Sequence, residues 1–126
     1  MENILIVEDH KEFREAMKRF ILMKGVKADI LEAVTGQEGI DIALRRRPKV
    51  VIIDIHLTRG ISGLELASLI KRQDDSCGII ILTMYAKQDM KDLGRHKDVE
   101  DFIDKSDLDR RLVPTINRLL SPKGNL

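Results

Sequence analysis

The chain has 126 residues, about one domain's length, with 43% hydrophobic and 34% charged residues, a globular composition that excludes a disordered chain. Lys and Arg number 22 against 21 Asp and Glu, for a formal net charge of +1, so no overall field favours nucleic acid or an anionic membrane. The single cysteine, Cys77, excludes an internal disulfide. Together with the absence of a signal-peptide pattern, it favours a cytoplasmic protein.

Short apolar runs that are typical of strands alternate with helical patterns along the whole chain. The predicted strands cover residues 4–7, 28–34, 50–53, 79–82 and 102–103. Three of these runs are unbroken stretches of Ile, Val and Leu, which indicate parallel strands buried on both faces. The second run alternates with Asp29 and Glu32, as expected of a strand at the edge of a sheet.

The segments between the strands carry helix signals. A first helix has an apolar stripe that ends before Gly25, and the next two begin at capping boxes, Thr35 to Glu38 and Ser62 to Glu65, in which hydroxyl and carboxylate satisfy free amides. A weaker, strongly charged helix is predicted over residues 86–96.

A last helix is predicted over residues 108–120, with Pro114 inside it. Because proline lacks the amide hydrogen that a helix interior needs, we expect a kink there, or a helix that effectively begins near Arg111. The domain is therefore expected to occupy residues 1–120, and residues 121–126 read as a tail or the start of a linker.

Five strand-then-helix units predict an α/β fold, in which a parallel sheet with right-handed crossovers has helices on both faces. In such sheets the ligand site lies beyond the carboxyl ends of the strands. The sequence therefore predicts that the functional residues lie where the strands end.

Ionisable and polar side chains stand at these strand ends. Glu8 and Asp9 follow the first strand, Asp54 the third, Thr83 the fourth and Lys105 the fifth. Three carboxylates brought together would repel one another unless a cation joined them, and a few hard oxygen ligands suit Mg²⁺. Asp54 could then act as a carboxylate nucleophile towards a phosphoryl group, with Thr83 and Lys105 binding the phosphoryl oxygens.

Each of these residues also has a purely structural interpretation. Glu8 and Asp9 could cap the first helix, since Asp9 to Glu12 resembles a capping box. Lys105 could be a surface residue and Thr83 a turn former. These alternatives are plausible one at a time, but jointly they are weaker than a common site.

The matching residues resemble the response-regulator receiver family along nearly the whole chain. The resemblance rests on residues 4–9 (ILIVED), 51–57 (VIIDIHL), 62–65 (SGLE), 80–83 (IILT) and 102–105 (FIDK). It implies a flavodoxin-like, three-layer α/β/α sandwich with a five-stranded parallel sheet of order 2-1-3-4-5. Residues 62–66 and 81–85 are similar to receivers that carry a C-terminal helix-turn-helix domain, the NarL/LuxR type.

The resemblance also implies a role for each site residue. By this resemblance Glu8 and Asp9 form an acidic metal pair, and Asp54 is the phosphoacceptor. The backbone carbonyl of His56 is a ligand to Mg²⁺, Thr83 provides the switch hydroxyl, and Lys105 contacts the phosphate. Phe102 corresponds to the rotating aromatic. For Phe102 a core aromatic is a serious alternative. His10, His56 and His96 show no metal-ligand spacing.

Three positions depart from the family pattern without removing a chemical group from the site. Thr58 stands where the family usually has proline, in a loop one residue longer than usual. Met84 follows the switch threonine where a smaller residue is common, and Ser106 replaces a frequent proline. The departures predict an altered loop after Asp54 and narrower access to it.

The implied function is a signalling switch in which a sensor histidine kinase phosphorylates Asp54 with Mg²⁺ bound. Thr83 and Lys105 would then move inward, and the face formed by the fourth helix, fifth strand and last helix would change. Further implied partners are a C-terminal DNA-binding effector domain outside these residues and a second copy of the chain after phosphorylation. The alternatives are a phosphate-insensitive interaction module and an aspartyl phosphatase, which commonly needs a second acid where His56 stands.

Overall fold

The computed structural model of the chain describes residues 1–84 and 96–121. The predicted helix at 86–96 lies outside this range except for His96, as do Tyr85 and the predicted tail beyond Ser121. Within the described residues the elements are, in chain order, β1 (Asn3–Val7), α1 (Lys11–Met23), β2 (Asp29–Ala33), α2 (Gly36–Arg46), β3 (Val50–Asp54), α3 (Gly63–Gln73), β4 (Gly78–Thr83), β5 (Asp101–Asp104), a short 3-10 turn (Lys105–Asp107) and the last helix (Leu108–Leu120). None of the described helices is long and apolar enough to cross a membrane.

The five strands form one parallel sheet of order β2-β1-β3-β4-β5, which confirms the predicted topology. β2 lies at the edge, as its alternating pattern predicted. The register places Val7 opposite Ile53 and Asp54 opposite Leu82. The ends of β1, β3 and β4 are therefore level, and the residues that follow them share one edge of the sheet.

Two apolar layers enclose the sheet, because the strands are apolar on both faces. Alternate strand residues such as Ile6 and Ile52 pack with Met17 of α1 and with Leu112 and Ile116 of the last helix. The other strand residues pack with side chains of α2 and α3, including Ala43, Leu66 and Ile70. The observed architecture is the predicted three-layer sandwich.

Both predicted capping boxes open a helix. The Glu38 amide donates to Thr35 Oγ1 at 3.1 Å, and the Glu38 carboxylate accepts from the Val34 amide at 2.7 Å. At α3 the Glu65 amide donates to Ser62 Oγ at 3.2 Å. These side chains satisfy amides that have no partner within their helix, and so they set where α2 and α3 begin.

The last helix corrects one expectation. It begins at Leu108 and continues through Pro114 to Leu120, which confirms the predicted bounds of 108–120, while the alternative of a start near Arg111 is wrong. Tertiary contacts account for the earlier start, since Arg111 donates twice to Asp101 of β5 at 2.8 Å and Leu112 is fully buried. Packing of this first turn outweighs the hydrogen bond that Pro114 cannot make.

Candidate functional site

The carboxyl edge of the sheet gathers the predicted site residues. Glu8 and Asp9 follow β1, Asp54 ends β3, Thr83 ends β4 and Lys105 follows β5. The level register of these strands is what brings them together, although they are up to 97 positions apart in the sequence (from 8 to 105). Of these side chains, those of Glu8, Asp54 and Thr83 are almost completely buried.

Asp54 is held from two sides. Its Oδ1 accepts a hydrogen bond of 3.0 Å from the amide of His56, and its Oδ2 lies 3.4 Å from Lys105 Nζ. The carboxylate is only 2% exposed, so one charge-assisted contact and one backbone amide replace much of the water it lost. The backbone at His56, whose carbonyl was predicted as a metal ligand, thus lies directly against the Asp54 carboxylate.

Glu8 is the most deeply buried acid of the site. Its Oε2 accepts from the His10 amide at 3.1 Å, and its Oε1 lies 3.7 Å from Lys105 Nζ. Burial, assisted by the neighbouring charge of Asp54, raises the pKa of Glu8 above its ordinary value. The buried carboxylate is therefore costly to ionise unless a positive charge accompanies it.

Asp9 is oriented by the loop that follows β3. The amide of Thr58 donates to Asp9 Oδ2 at 3.2 Å, and the Thr58 hydroxyl makes a very short hydrogen bond to the same oxygen. Burial acts to raise the pKa of Asp9, but the hydrogen bonds from Thr58, together with the neighbouring Glu8 side chain and His10, outweigh it, and the pKa lies below its usual value. Asp9 does not cap α1, whose N-cap is His10 with no side-chain cap, so the capping interpretation of Asp9 fails.

Two residues of the site were missed or set aside in the sequence interpretation. His10 Nδ1 lies 3.2 Å from Glu8 Oε2 and 3.2 Å from Asp9 Oδ1, and these contacts raise the His10 pKa, the Glu8 hydrogen bond first. Arg14 donates to the Glu8 carbonyl at 2.9 Å and to Glu32 of β2 at 3.0 Å. The only sequence signal for the contacts of His10 was its position directly after two acids.

The acidic residues fit a divalent cation. Glu8, Asp9, His10 and Asp54 each offer one ligand atom, and these atoms lie within 4.8 Å of one another. Glu8 Oε1 and Asp9 Oδ1 are buried and accept no hydrogen bond. A buried carboxylate oxygen without a donor is unfavourable, and a hard cation would remove that cost.

The two predicted switch residues are both buried. Thr83 is fully buried at the end of β4, and Phe102 is 5% exposed in β5. Phe102 pairs with Ile81 in the sheet and belongs to the core that faces α2 and α3. Met84, in contrast, is 54% exposed, so its side chain lies largely in solvent.

Comparison with known proteins identifies the family. The family model of the response regulator receiver domain matches residues 4–117 of this sequence. The chain belongs to this family. Receiver domains of two-component systems bind Mg²⁺ in an acidic pocket and are generally not enzymes in their own right, and this receiver has the corresponding acidic cluster.

A curated relative and two solved structures illustrate the similarity. The phosphate regulon transcriptional regulatory protein PhoB of Pseudomonas aeruginosa is 32% identical over 98% of this chain and 53% of its own length. The response regulator TrrA of Thermotoga maritima, solved with Mg²⁺-BeF, is 31% identical with a TM-score of 0.83, over 95% of this receiver and 100% of TrrA. A DNA-binding response regulator of the LuxR family from Staphylococcus aureus is 27% identical with a TM-score of 0.82, over 94% and 98% of the two chains.

The receiver spans about half or less of the length of the first curated relatives that it matches. The similarity therefore concerns the receiver domain itself. The similar proteins include one named as a transcriptional regulatory protein and one named as a DNA-binding response regulator of the LuxR family. Both names agree with the predicted resemblance to receivers linked to DNA-binding domains.

Proposed function

We propose that Asp54 accepts a phosphoryl group from a sensor histidine kinase, and that the modification switches the receiver between two states. The arrangement around Asp54 carries the proposal, because its buried carboxylate lies 3.4 Å from Lys105 Nζ and beside two further acids. A carboxylate that a lysine and a backbone amide hold in place is preorganised as a nucleophile.

In the transfer, an Asp54 carboxylate oxygen forms a bond to phosphorus while the bond from phosphorus to the donor's imidazole nitrogen breaks. The electron pair of the broken bond stays on that nitrogen, which then takes a proton from solvent. Asp9, Asp54, the His56 carbonyl and, through its charge, Glu8 would hold Mg²⁺, which neutralises charge on the transferred group. Lys105 then pairs with a phosphoryl oxygen instead of with Asp54 and Glu8.

The consequence for signalling follows from the new negative charge. We expect the Thr83 hydroxyl to donate to the phosphoryl group and Phe102 to repack. These movements would change the face that the last helix, β5 and the helix predicted over residues 86–96 form together. Small phosphodonors such as acetyl phosphate are proposed as a second source, and the same residues would promote both gain and loss of the phosphoryl group. The predicted cytoplasmic location agrees with both donors.

The domain is proposed to occupy residues 1–120, with 121–126 as a tail or the start of a linker, and the match to residues 4–117 supports these bounds. PhoB is named a transcriptional regulatory protein, which supports a C-terminal DNA-binding effector as the output of this receiver. Homodimer formation upon phosphorylation is a further proposal for the same switching face. For the phosphatase alternative, His56 occupies the place of the second acid, and among residues 1–84 and 96–121 no contact of the site favours turnover.

The test is phosphorylation of the 126-residue chain with Mg²⁺ and acetyl phosphate, followed by intact mass spectrometry. The wild-type chain and the surface variant Asp75→Asn should each gain one phosphoryl group, and Asp54→Asn should gain none. Equal labelling of Asp54→Asn would overturn the assignment of Asp54. If the wild-type chain stays unlabelled with acetyl phosphate and with kinases, the phosphate-insensitive interaction module becomes the better interpretation.

A further inference from the structure

His10 lies where it adds a nitrogen to the oxygen-rich site. Its amide donates to Glu8 Oε2 at 3.1 Å, which draws the start of α1 against the acids. Its ring nitrogen Nδ1 lies 3.2 Å from Glu8 Oε2 and 3.2 Å from Asp9 Oδ1. The alternative to a ligand role is an exposed imidazole in an ordinary surface ion pair, since its side chain is 70% exposed.

The spacing of the atoms matches a shared ion. Ligand atoms about 2.0–2.2 Å from an octahedral ion lie roughly 3 Å apart when adjacent and about 4.3 Å apart when opposite. The contacts of Nδ1 with the two carboxylate oxygens have the adjacent spacing. One atom each of Glu8, Asp9, His10 and Asp54 lies within 4.8 Å of the others, close to the separation of opposite ligands, so small side-chain adjustments would let one ion contact all four residues.

A second observation points to a cation independently of His10. Glu8 is 1% exposed as a side chain, yet its Oε1 has no hydrogen-bond donor. Lys105 Nζ stands 3.7 Å from this oxygen, beyond hydrogen-bonding distance. The buried oxygen lacks the hydrogen-bond donor that a buried acceptor needs.

We propose that His10 is a nitrogen ligand of this site, so that the receiver binds late first-row divalent ions such as Ni²⁺ or Zn²⁺ through imidazole and carboxylates together. Mg²⁺, in contrast, would be held by oxygen atoms alone. Imidazole suits Ni²⁺ and Zn²⁺, whereas carboxylate, carbonyl and water oxygens suit Mg²⁺. The inference rests on the proposed function, because it assumes that the same acids bind the Mg²⁺ used in phosphorylation.

Two cations of different class would then compete for one site. The imidazole gives Ni²⁺ and Zn²⁺ an additional bond, so the selectivity of the site against Mg²⁺ depends on His10. The carboxylates of Asp9 and Asp54 contribute to binding of both classes. Removal of the imidazole should therefore change the ratio of the two affinities, while removal of Asp9 should weaken both.

The test is titration of the metal-free 126-residue chain with Ni²⁺ and, separately, with Mg²⁺ by calorimetry. His10→Gln should weaken Ni²⁺ binding by about 10-fold or more and leave Mg²⁺ binding within about 2-fold. His96→Gln removes an imidazole beside α3, outside the site, and should leave both affinities unchanged. Asp9→Asn should weaken both ions and thereby show that the titration reports this site.

An unchanged ratio of Ni²⁺ to Mg²⁺ affinity in His10→Gln would overturn the proposal. An equal gain in affinity for both ions would also overturn it, because it would show an imidazole that merely pairs with the acids and obstructs the cation. As a direct readout, Zn²⁺ should move the ¹⁵N shift of His10 Nδ1 further than Mg²⁺ does, because Zn²⁺ would bond to the ring nitrogen, whereas Mg²⁺ would act on it only through the charge of the neighbouring acids.

Failure of this inference and failure of the proposed function give different results. If Asp54 is phosphorylated with Mg²⁺ while the affinity ratio is unchanged in His10→Gln, only the ligand role of His10 is lost. If the wild-type chain neither binds Mg²⁺ nor gains a phosphoryl group, the proposed function fails as well. Thermal unfolding of His10→Gln should match the wild-type chain, since the ring is exposed.

Discussion

Thr58 donates two hydrogen bonds to one oxygen of Asp9, the first from its amide at 3.2 Å and the second from its hydroxyl. Both bonds end on Oδ2, and Oδ1 is left buried without a hydrogen-bond donor. Proline, which the family usually has at this position, could make neither bond because it lacks an amide hydrogen and a hydroxyl. The loop after β3 therefore orients Asp9 through two bonds that a proline at this position could not make.

Removal of the Thr58 hydroxyl should weaken Mg²⁺ binding. In Thr58→Val the side chain keeps its shape but loses the donor to Asp9, and the loss of about 1 kcal/mol for such an exposed hydrogen bond corresponds to roughly 5-fold in affinity. Thr58→Ser keeps the hydroxyl and should retain wild-type affinity. Titration with Mg²⁺ measures both variants, and tighter binding by Thr58→Val would show instead that Thr58 competes with the cation.

Gly63 should be intolerant of a side chain because it lies against the backbone of the phosphoacceptor. A Cβ at Gly63 would lie 2.7 Å from the Asp54 carbonyl oxygen and 2.9 Å from the Ile55 Cα. Gly63→Ala should therefore lower the free energy of unfolding by about 1–3 kcal/mol and slow phosphorylation of Asp54, because the backbone of β3 must shift.

Gly36 provides the matched control for this substitution. Gly36 and Gly63 are both the first residues of helices that follow a hydroxyl cap. The three atoms nearest to an added Cβ at Gly36 all belong to Ile61, and the closest is its side-chain Cγ1 at 2.6 Å, so this clash is with a side chain rather than with the backbone of β3. Urea unfolding should show a smaller loss for Gly36→Ala than for Gly63→Ala, and equal losses would contradict the clash with Asp54.

The pair of Arg111 and Asp101 should stabilise the attachment of the last helix to β5. Arg111 Nη2 lies 2.8 Å from both Asp101 oxygens, and Thr115 Oγ1 donates to Asp101 Oδ2 at 3.1 Å. A second guanidinium nitrogen, Nη1, donates to the Phe102 carbonyl at 3.3 Å. Arg111→Lys keeps the charge but has one nitrogen in place of these two, so we expect a loss of about 1 kcal/mol in the free energy of unfolding.

The neighbouring Arg110 serves as the control. It pairs with Asp107 within the first helical turn, with side chains that are 71% and 30% exposed, and solvent screens such a pair strongly. Arg110→Lys should therefore leave the denaturant midpoint nearly unchanged. Equal effects of the two substitutions would mean that the contacts with Asp101 add nothing beyond an ordinary surface pair.

Cys77 should be unreactive in the folded chain. It is 2% exposed, and burial raises the pKa of its thiol to about 12. At pH 8 only about one thiol in 10⁴ would be ionised, and the thiolate is the form that iodoacetamide attacks. Alkylation followed by mass spectrometry should be far slower in buffer than in urea, and rapid labelling of the folded chain would disprove the burial of Cys77.

Much of the fold could be predicted from the sequence because its signals are local. Unbroken apolar runs such as those ending at Val7 and Ile53 indicate strands with two buried faces, and this holds whatever their neighbours are. Each of the capping boxes at Thr35 and Ser62 spans only four residues, and these boxes set where α2 and α3 begin. Pro114 suggested a later start of the last helix, near Arg111. That alternative was wrong because the packing of Leu112 and the contacts of Arg111 are tertiary effects, which the local sequence does not show.

The types of residue at the site could also be predicted, whereas their contacts could not. Carboxylates at the ends of β1 and β3 and a lysine after β5 must share one edge of any parallel sheet that these strands form. The contact of Thr58 with Asp9 joins residues 49 positions apart, and no periodicity or spacing encodes it.

The sequence by itself determined that acids, a hydroxyl and a lysine meet at the carboxyl ends of the strands. Only the tertiary structure decided that Thr58 orients Asp9, that His10 Nδ1 lies 3.2 Å from an oxygen of each of two acids, and that Glu8 is buried with one oxygen lacking a donor. The reason is physical: strand endings follow from local hydrophobic patterns, while hydrogen-bond partners depend on how loops from different strands pack against one another.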